Sequence, residues 1–246
     1  MQKISLKKAD SVRNYVNILG VRLDSTLTSS VLNTIGGFLL SKHKFSVFTL
    51  NPEILVMAER DRDLKKVLNL SDINIPDGVG LKIAEPSLII IKGRELFLEL
   101  LALARKKNRK VFFVGGKGIK NVTAGPMLDE NAEPISDRDR EIEIETIRKV
   151  NKFNPDILFV GFGAPKQEKW IHKWLPKLKV GGAVAVGGTF DYVFGKAKQP
   201  PTWIEKAGLE WFWRLLHEPK RWFRIFNAVI VFPPKVLCSR LWQKRA

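Results

Sequence analysis

The strongest constraint on the fold is a repeated alternation of short apolar runs with longer amphipathic stretches. Phe45–Leu50 reads as a buried strand and runs into Asn51-Pro52. Lys110–Val114 runs into Gly115-Gly116, Asp156–Val160 into Gly161-Phe162-Gly163, and Ala183–Val186 into Gly187-Gly188. Runs this short, apolar on consecutive residues and bounded by turn formers, fit strands covered on both faces. The intervening stretches have helical spacing. Leu27, Val31, Ile35, Phe38 and Leu39 follow Ser25 as a possible cap, and Asn51 and Pro52 open a helix that runs to about Leu70. Further helices are expected near Arg94–Lys107 and Asp137–Phe153, and another starts at Pro165. Helix and strand in alternation give an α/β fold: a Rossmann-like, largely parallel sheet flanked by helices on both faces.

In such sheets ligands bind outside the carboxyl ends of the strands, where these glycines fall. Glycine there admits close approach of backbone to a ligand, but any one of these loops serves equally well as a tight turn. None is a complete GxGxxG or GxxxxGK[ST], so neither a dinucleotide nor a P-loop nucleotide site is expected.

Charge divides the chain. Of a net +17, the stretch from Lys196 onward carries eleven Lys and Arg against three Glu, hence +8, together with five of the seven tryptophans. The expected organisation is a catalytic body over 1–196 and a basic, aromatic, helical appendage over 197–246. So basic a surface points to polyanions, whether nucleic acid, anionic lipid or phosphate-bearing substrates. With 246 residues, 45% of them hydrophobic, the chain can bury a large core, which excludes a disordered tail or a disulfide-stapled miniprotein. Its one cysteine, Cys238, cannot form an intramolecular disulfide and suits a reducing, cytoplasmic compartment. No apolar run approaches the roughly 18 to 20 residues that span a bilayer, and the N-terminus does not lead into a signal-peptide core.

Metal chemistry finds little support. His43, His172 and His217 lack ligand spacing, and the triplets Asp61-Arg62-Asp63 and Asp137-Arg138-Asp139 read as solvated charged faces, so no metal or cofactor is expected. Thr49, Asn51 and Gln167 are neutral hydrogen-bonding groups at strand ends or helix starts, suited to a saccharide pocket. Asn51 also suits a helix cap, Gln167 a solvent-facing first turn, Asp191 an ordinary strand-end aspartate, and Asp77-Gly78 a simple turn.

Several uncommon combinations occur in order: Asn17–Asp24, Thr49-Leu50-Asn51-Pro52-Glu53, Ile75-Pro76-Asp77-Gly78-Val79-Gly80, Gly161–Trp170 with its Pro165-Lys166-Gln167-Glu168 centre, Val186–Asp191, and Gly208–Trp211 followed by Arg214, Glu218-Pro219, Arg221 and Arg224. Together they resemble the WecG/TagA/CpsF glycosyltransferases (glycosyltransferase family 26). The resemblance implies an inverting, metal-independent transfer of N-acetylmannosamine from its UDP derivative to a polyprenyl-diphosphate-linked N-acetylglucosamine, in bacterial surface polysaccharide or teichoic acid synthesis. It implies Asp77 as the general base that deprotonates the acceptor hydroxyl, with Thr49 also catalytic. Asn51, Gln167 and Asp191 are then expected in the substrate pocket, and Arg214, Arg221 and Arg224 on the donor diphosphate.

The resemblance has departures. Ile90-Ile91-Lys92-Gly93 stands where the family carries an Arg-Val-x-Gly-type segment, Gln199-Pro200-Pro201 replaces an Arg-Ala-Pro, and Lys117–Arg140 is shortened. From about Thr202 the appendage is expected to rest on the inner leaflet of the cell membrane and complete the active site; packing of Trp211 and Phe212 on the body is the plainer alternative. Partners would be the UDP-sugar, the lipid-linked acceptor and the membrane surface, with a homo-oligomer left open. No nucleic acid is expected, although a nucleic-acid-binding protein and a noncatalytic assembly protein on the same fold are the competing classes.

Overall fold

The structure, a computed structural model, describes residues 14–115, 119, 121–194, 200–219 and 222–243. Its centre is a five-stranded sheet of β3 (Phe45–Leu50), β4 (Ile73–Pro76), β5 (Val111–Gly115), β6 (Ile157–Gly161) and β7 (Gly182–Ala185), all parallel, in the order β4-β3-β7-β6-β5. The α/β fold expected from the alternation is therefore present. Ahead of the sheet, β1 (Tyr15–Ile18) and β2 (Val21–Asp24) form an antiparallel hairpin.

The helices are α1 (Thr28–Ser41), α2 (Pro52–Arg60), α3 (Arg62–Leu70), α4 (Gly93–Lys106), α5 (Asp137–Phe153), α6 (Lys166–Trp174) and α7 (Thr189–Val193), followed by the C-terminal α8 (Thr202–Lys206), α9 (Glu210–His217), α10 (Trp222–Phe226) and α11 (Phe232–Gln243). A π-helical turn, Asn227–Val231, joins the last two. No helix among the described residues is long and apolar enough to cross a membrane.

The period-two geometry of the strands sorts their side chains into two cores. Phe45 and Val47, Ile157 and Phe159, and Val184 pack on one face with Val31 and Ile35 of α1 and Phe97 and Leu100 of α4. Phe48 and Leu50, Leu158 and Val160, and Ala183 and Ala185 pack on the other with Leu55 of α2, Leu64 of α3 and Trp170 of α6. Phe232 and Val236 of α11 belong to this second core, so the C-terminal helices are anchored on α2.

The structure departs from the sequence reading in several places. The helix expected from Pro52 to Leu70 is two helices, because Asp61 turns its carboxylate onto the Leu64 N–H (2.8 Å) and caps a new start. Ser25 does not cap α1, whose N-cap is Leu27; its hydroxyl accepts from the Ile89 N–H instead (3.4 Å). The hairpin went unread because its turn is Leu19-Gly20, both at positive φ (54° and 80°), without the usual Asn-Gly or Asp-Gly signal.

The two acidic triplets are solvated faces only in part: Arg62, Asp63, Asp137 and Arg138 are exposed, but Asp61 and Asp139 are engaged by the fold. Asp139 is buried and accepts from the Met127 N–H (2.8 Å) and the Ser136 hydroxyl, and Asp61 pairs with Lys169 at 2.6 Å. Desolvation works against the Asp61 charge, but the Leu64 N–H and the Lys169 ammonium hold its carboxyl below the ordinary carboxylate range. Edge strand β4 was missed as well. It is secured by Asn74, whose N–H donates to Asp24 (2.7 Å) and whose side-chain amide donates to the carbonyls of Arg22 (2.9 Å) and Leu68 (2.7 Å).

Candidate active site

The strand order reverses between β3 and β7: the chain runs outward from β3 to β4, then crosses to β5 at the far edge and returns through β6 to β7. A crevice opens at the carboxyl ends on either side of such a reversal. Thr49, near the end of β3, spans it by donating to the Ala185 carbonyl (3.4 Å). Asn51 then caps α2 by accepting from the Ile54 N–H (3.0 Å), so the cap reading holds at this residue.

Asp77 follows β4 directly. Its N–H donates to the Leu50 carbonyl (2.8 Å), and the Ile91 N–H donates to the Pro76 carbonyl (2.9 Å). These two bonds bring the end of β3, Asp77 and the start of α4 to one point. The approach is close: a Cβ on Gly93 would lie 3.1 Å from Asp77 Oδ2 and 3.3 Å from Thr49 Cγ2. The first residue of α4 thus packs against the carboxylate.

Two cavities meet at Asp77. One, of about 210 Å³, is lined by Asn51, Glu53, Asp77 and Lys92 from the sheet side and by Glu210, Trp211 and Arg224 from the C-terminal helices. The other, of about 50 Å³, is lined by Asp77, Lys92, Arg94, Thr189, Tyr192 and Glu210. Asp77, Lys92 and Glu210 belong to both and form the wall between them. A larger groove of about 570 Å³ runs along α5, but it contains none of the strand-end residues and lies outside the crevice.

Ion pairs tie the C-terminal helices to this wall. Lys92 lies 3.2 Å from Glu210, Arg224 Nε donates to Glu53 at 2.5 Å, and Lys235 pairs with Glu59 at 2.6 Å. Gly208, at φ 70°, rests against Val79 of the loop that follows Asp77. Trp211 therefore lines a cavity while remaining partly exposed, and Phe212 is exposed, so neither is a core residue.

Gln167 and Glu168 lie in the first turn of α6 and are both buried. Gln167 Oε1 accepts from the Gly163 N–H (3.2 Å) and the Gly187 N–H (3.0 Å), which clamps the loops after β6 and β7 together. Its amide nitrogen donates to Glu168 Oε1 (2.7 Å). Burial pushes the Glu168 carboxyl up to about 7, against the opposing effects of the Gln167 bond, its own backbone N–H and, more weakly, the Arg224 guanidinium.

Of the residues singled out from sequence, Asp77, Asn51 and Arg224 line the larger cavity, and Thr49 lies against Gly93, which lines the smaller one. Asp191 sits in α7 between the lining residues Thr189 and Tyr192 but lines neither cavity. Arg214 belongs to α9, with its side chain outside the described residues, and Arg221 lies wholly outside them. The sequence reading did not single out Glu53, Arg94, Tyr192 or Glu210 as site residues. Glu53 and Glu210 lie within stretches that carried the family resemblance, and that was the only available signal for them.

A model of the glycosyl transferase WecG/TagA/CpsF family matches residues 16–246. The N-acetylglucosaminyldiphosphoundecaprenol N-acetyl-beta-D-mannosaminyltransferase of Bacillus subtilis (strain 168) is 32% identical over 217 residues, covering 83% of this chain and 84% of that protein. The protein of the same name from Bacillus spizizenii (strain ATCC 23059 / NRRL B-14472 / W23) is 33% identical over 241 residues, 91% and 89% of the two chains. That of Staphylococcus aureus (strain MRSA252) is 29% identical over 243 residues, 94% and 95%.

Proposed function

Because the chain belongs to the WecG/TagA/CpsF glycosyltransferase family, we propose that it moves N-acetylmannosamine from a UDP-sugar to an undecaprenyl-diphosphate-linked N-acetylglucosamine, in teichoic acid or related surface-polymer synthesis. The observation that carries this reading is Asp77, on the wall shared by two cavities, with Arg224 and Trp211 of the C-terminal helices in the lining of the larger one. The relatives named above carry that acceptor and that sugar in their names.

An alcohol is a weak nucleophile at neutral pH. In the proposed step the Asp77 carboxylate takes the proton of the acceptor hydroxyl as its oxygen bonds to the anomeric carbon from the face opposite the nucleotide. The bond from that carbon to the diphosphate oxygen breaks with inversion, and its electron pair leaves with UDP. Charge then accumulates on the diphosphate, where Arg224 at the cavity wall supplies a guanidinium; Arg214 and Arg221 are proposed for the same task. Thr49, Asn51, Gln167 and Asp191 remain proposed substrate-site residues, with Gln167 acting through the two glycine loops that it clamps.

We divide the chain functionally into a body, 1–196, and an appendage, 197–246, that docks on the inner leaflet. Trp203, Leu216, Trp222, Phe223 and Ile230 are exposed in a segment rich in Lys and Arg, which suits an interfacial surface beside a lipid-anchored acceptor. The family match favours this account of the charge over a nucleic-acid-binding one.

The test is transfer of radiolabelled N-acetylmannosamine from UDP to a synthetic lipid-diphosphate acceptor. Wild type should form the disaccharide-lipid, and Asp77→Asn should keep the fold and UDP binding while losing about 100-fold or more in turnover. Turnover by the variant within a few-fold of wild type would remove Asp77 as base, and no product with wild type would remove the reaction.

A further inference from the structure

Glu53 and Arg224, which line the larger cavity, act electrostatically on a third ionisable side chain that does not line it and that has one carboxyl oxygen without a hydrogen bond. Glu168 of α6 is fully buried; Oε1 accepts from Gln167, while Oε2 has no hydrogen-bond partner among the described residues. Two charged groups act on it electrostatically: the Arg224 guanidinium of α10, which favours its charge, and the Glu53 carboxylate of α2, which opposes it. Arg224 is itself held by Glu53 and lines the cavity.

Other charged groups on and around α6 have partners of their own, and His172, the remaining titratable group of α6, is exposed at the surface. Asp61, at the N-cap of α3, pairs with Lys169; Glu143 of α5 accepts from the indoles of Trp170 (2.9 Å) and Trp174 (3.0 Å); Glu133 pairs with Lys173; and the Lys166 ammonium donates to the Leu128 carbonyl. Glu53 holds the guanidinium directly, and an ionised Glu168 would add a second negative charge that acts on it, at the cost of a buried carboxylate with an unmet oxygen.

We propose that Glu168 is a positioning residue for Arg224: as the neutral acid it leaves the guanidinium with Glu53 at the cavity wall, open to a diphosphate, and as a carboxylate it competes for the guanidinium and repels the ligand's charge. This rests on the reading that Arg224 meets the donor diphosphate. A bound diphosphate draws on Arg224 and adds negative charge nearby, so it favours the protonated form of Glu168. The liganded protein then holds more protons than the free one, and linkage requires that the ligand bind less tightly as pH rises through the carboxyl's range, close to neutrality.

The experiment is calorimetric titration of the full chain with UDP, wild type against Glu168→Gln, at pH 6, 7 and 8.5, in buffers of different ionisation enthalpy. The isosteric amide stays neutral at every pH. UDP's own phosphate titration is common to both proteins and cancels in the comparison. Between pH 6 and 8.5 wild type should lose about tenfold more affinity than the variant, and only wild type should take up protons through this group near pH 7. Affinities that run parallel across the range would make Glu168 a purely structural residue and overturn the proposal. If UDP binds neither protein at any pH, the assignment of Arg224 to the diphosphate falls, and this inference with it. Should the amide variant fail to fold, carbon-13 NMR of the glutamate carboxyls in wild type decides. The Glu168 titration midpoint should rise on adding UDP, and an unmoved midpoint overturns the proposal.

Discussion

At Gly93 a hydrogen atom in place of a methyl group lets the start of α4 pack closely on Asp77 and Thr49. A Cβ there would press on Asp77 Oδ2 at 3.1 Å and on Thr49 Cγ2 at 3.3 Å. Alanine is otherwise the better helix residue, by about 1 kcal/mol in a helix interior. Gly93→Ala should therefore leave thermal stability within a few degrees of wild type while lowering kcat by about tenfold to a hundredfold, because a small displacement of a base is costly to an aligned transition state. Steady-state kinetics together with a melting curve check this, and unchanged kcat would mean that the carboxylate moves aside freely. Asn51 illustrates a different economy at this scale. Its side chain caps α2 and also lines the cavity, so stability and binding are mixed in any substitution there.

Among the secondary-structure elements, the break between α2 and α3 is the feature with the clearest single cause. Asp61 caps α3 and holds the nearly buried Lys169 ammonium of α6, joining two helices that cover the same face of the sheet. Asp61→Ala removes both interactions and should cost about 2–4 kcal/mol: about 1 for the cap and the rest for a nearly buried ammonium left without its partner. Asp61→Asn keeps a capping oxygen and loses only the charge, so it should be less destabilising by about 1 kcal/mol. Urea unfolding of the two variants measures the difference, and equal losses would show that the cap contributes nothing. The Asp61 carboxyl lies below its ordinary value of 3.8 in the folded chain. Its contribution is therefore present above that value and is lost as pH falls through the lowered one.

On the scale of the whole molecule, the C-terminal helices are part of the fold as well as of the site. Phe232 and Val236 sit in the core with α2, and the contacts of Glu210, Arg224 and Lys235 fasten the same segment to the rim of the crevice. Deleting the segment would expose that core, so substitutions at exposed positions test membrane docking more cleanly. Trp222 and Phe223 are 61% and 52% exposed, enough for glutamate to be tolerated at both. The double replacement Trp222→Glu, Phe223→Glu should preserve the circular dichroism spectrum and UDP binding. It should weaken sedimentation with phosphatidylglycerol vesicles by about tenfold or more, since it removes apolar insertion and adds like charge at an anionic surface. Vesicle binding equal to wild type would place the docking surface elsewhere.

What could be read from sequence alone was whatever depends on local periodicity and local chemistry. The apolar runs at Phe45, Ile157 and Ala183 could be read as central strands from their short length, their flanking turn formers and the longer helical stretches between them, which decide where periodicity alone does not. Asn51-Pro52 starts a helix because a cap and a residue lacking an N–H suffice to do so. Asp77 and Arg224 were identifiable in advance only through the family resemblance, and packing brings them to one cavity with Asn51. Tertiary structure alone decided the rest. That Asp61 would meet a nearly buried ammonium depended on Lys169, 108 positions away, and whether Asp139 faces water depended on the Met127 amide. The same holds for the pairing of Glu53 with Arg224 across 171 positions and for the enclosure of Glu168. Burial and charge pairing are set by which surfaces meet, and no local pattern of residues encodes a meeting over that distance.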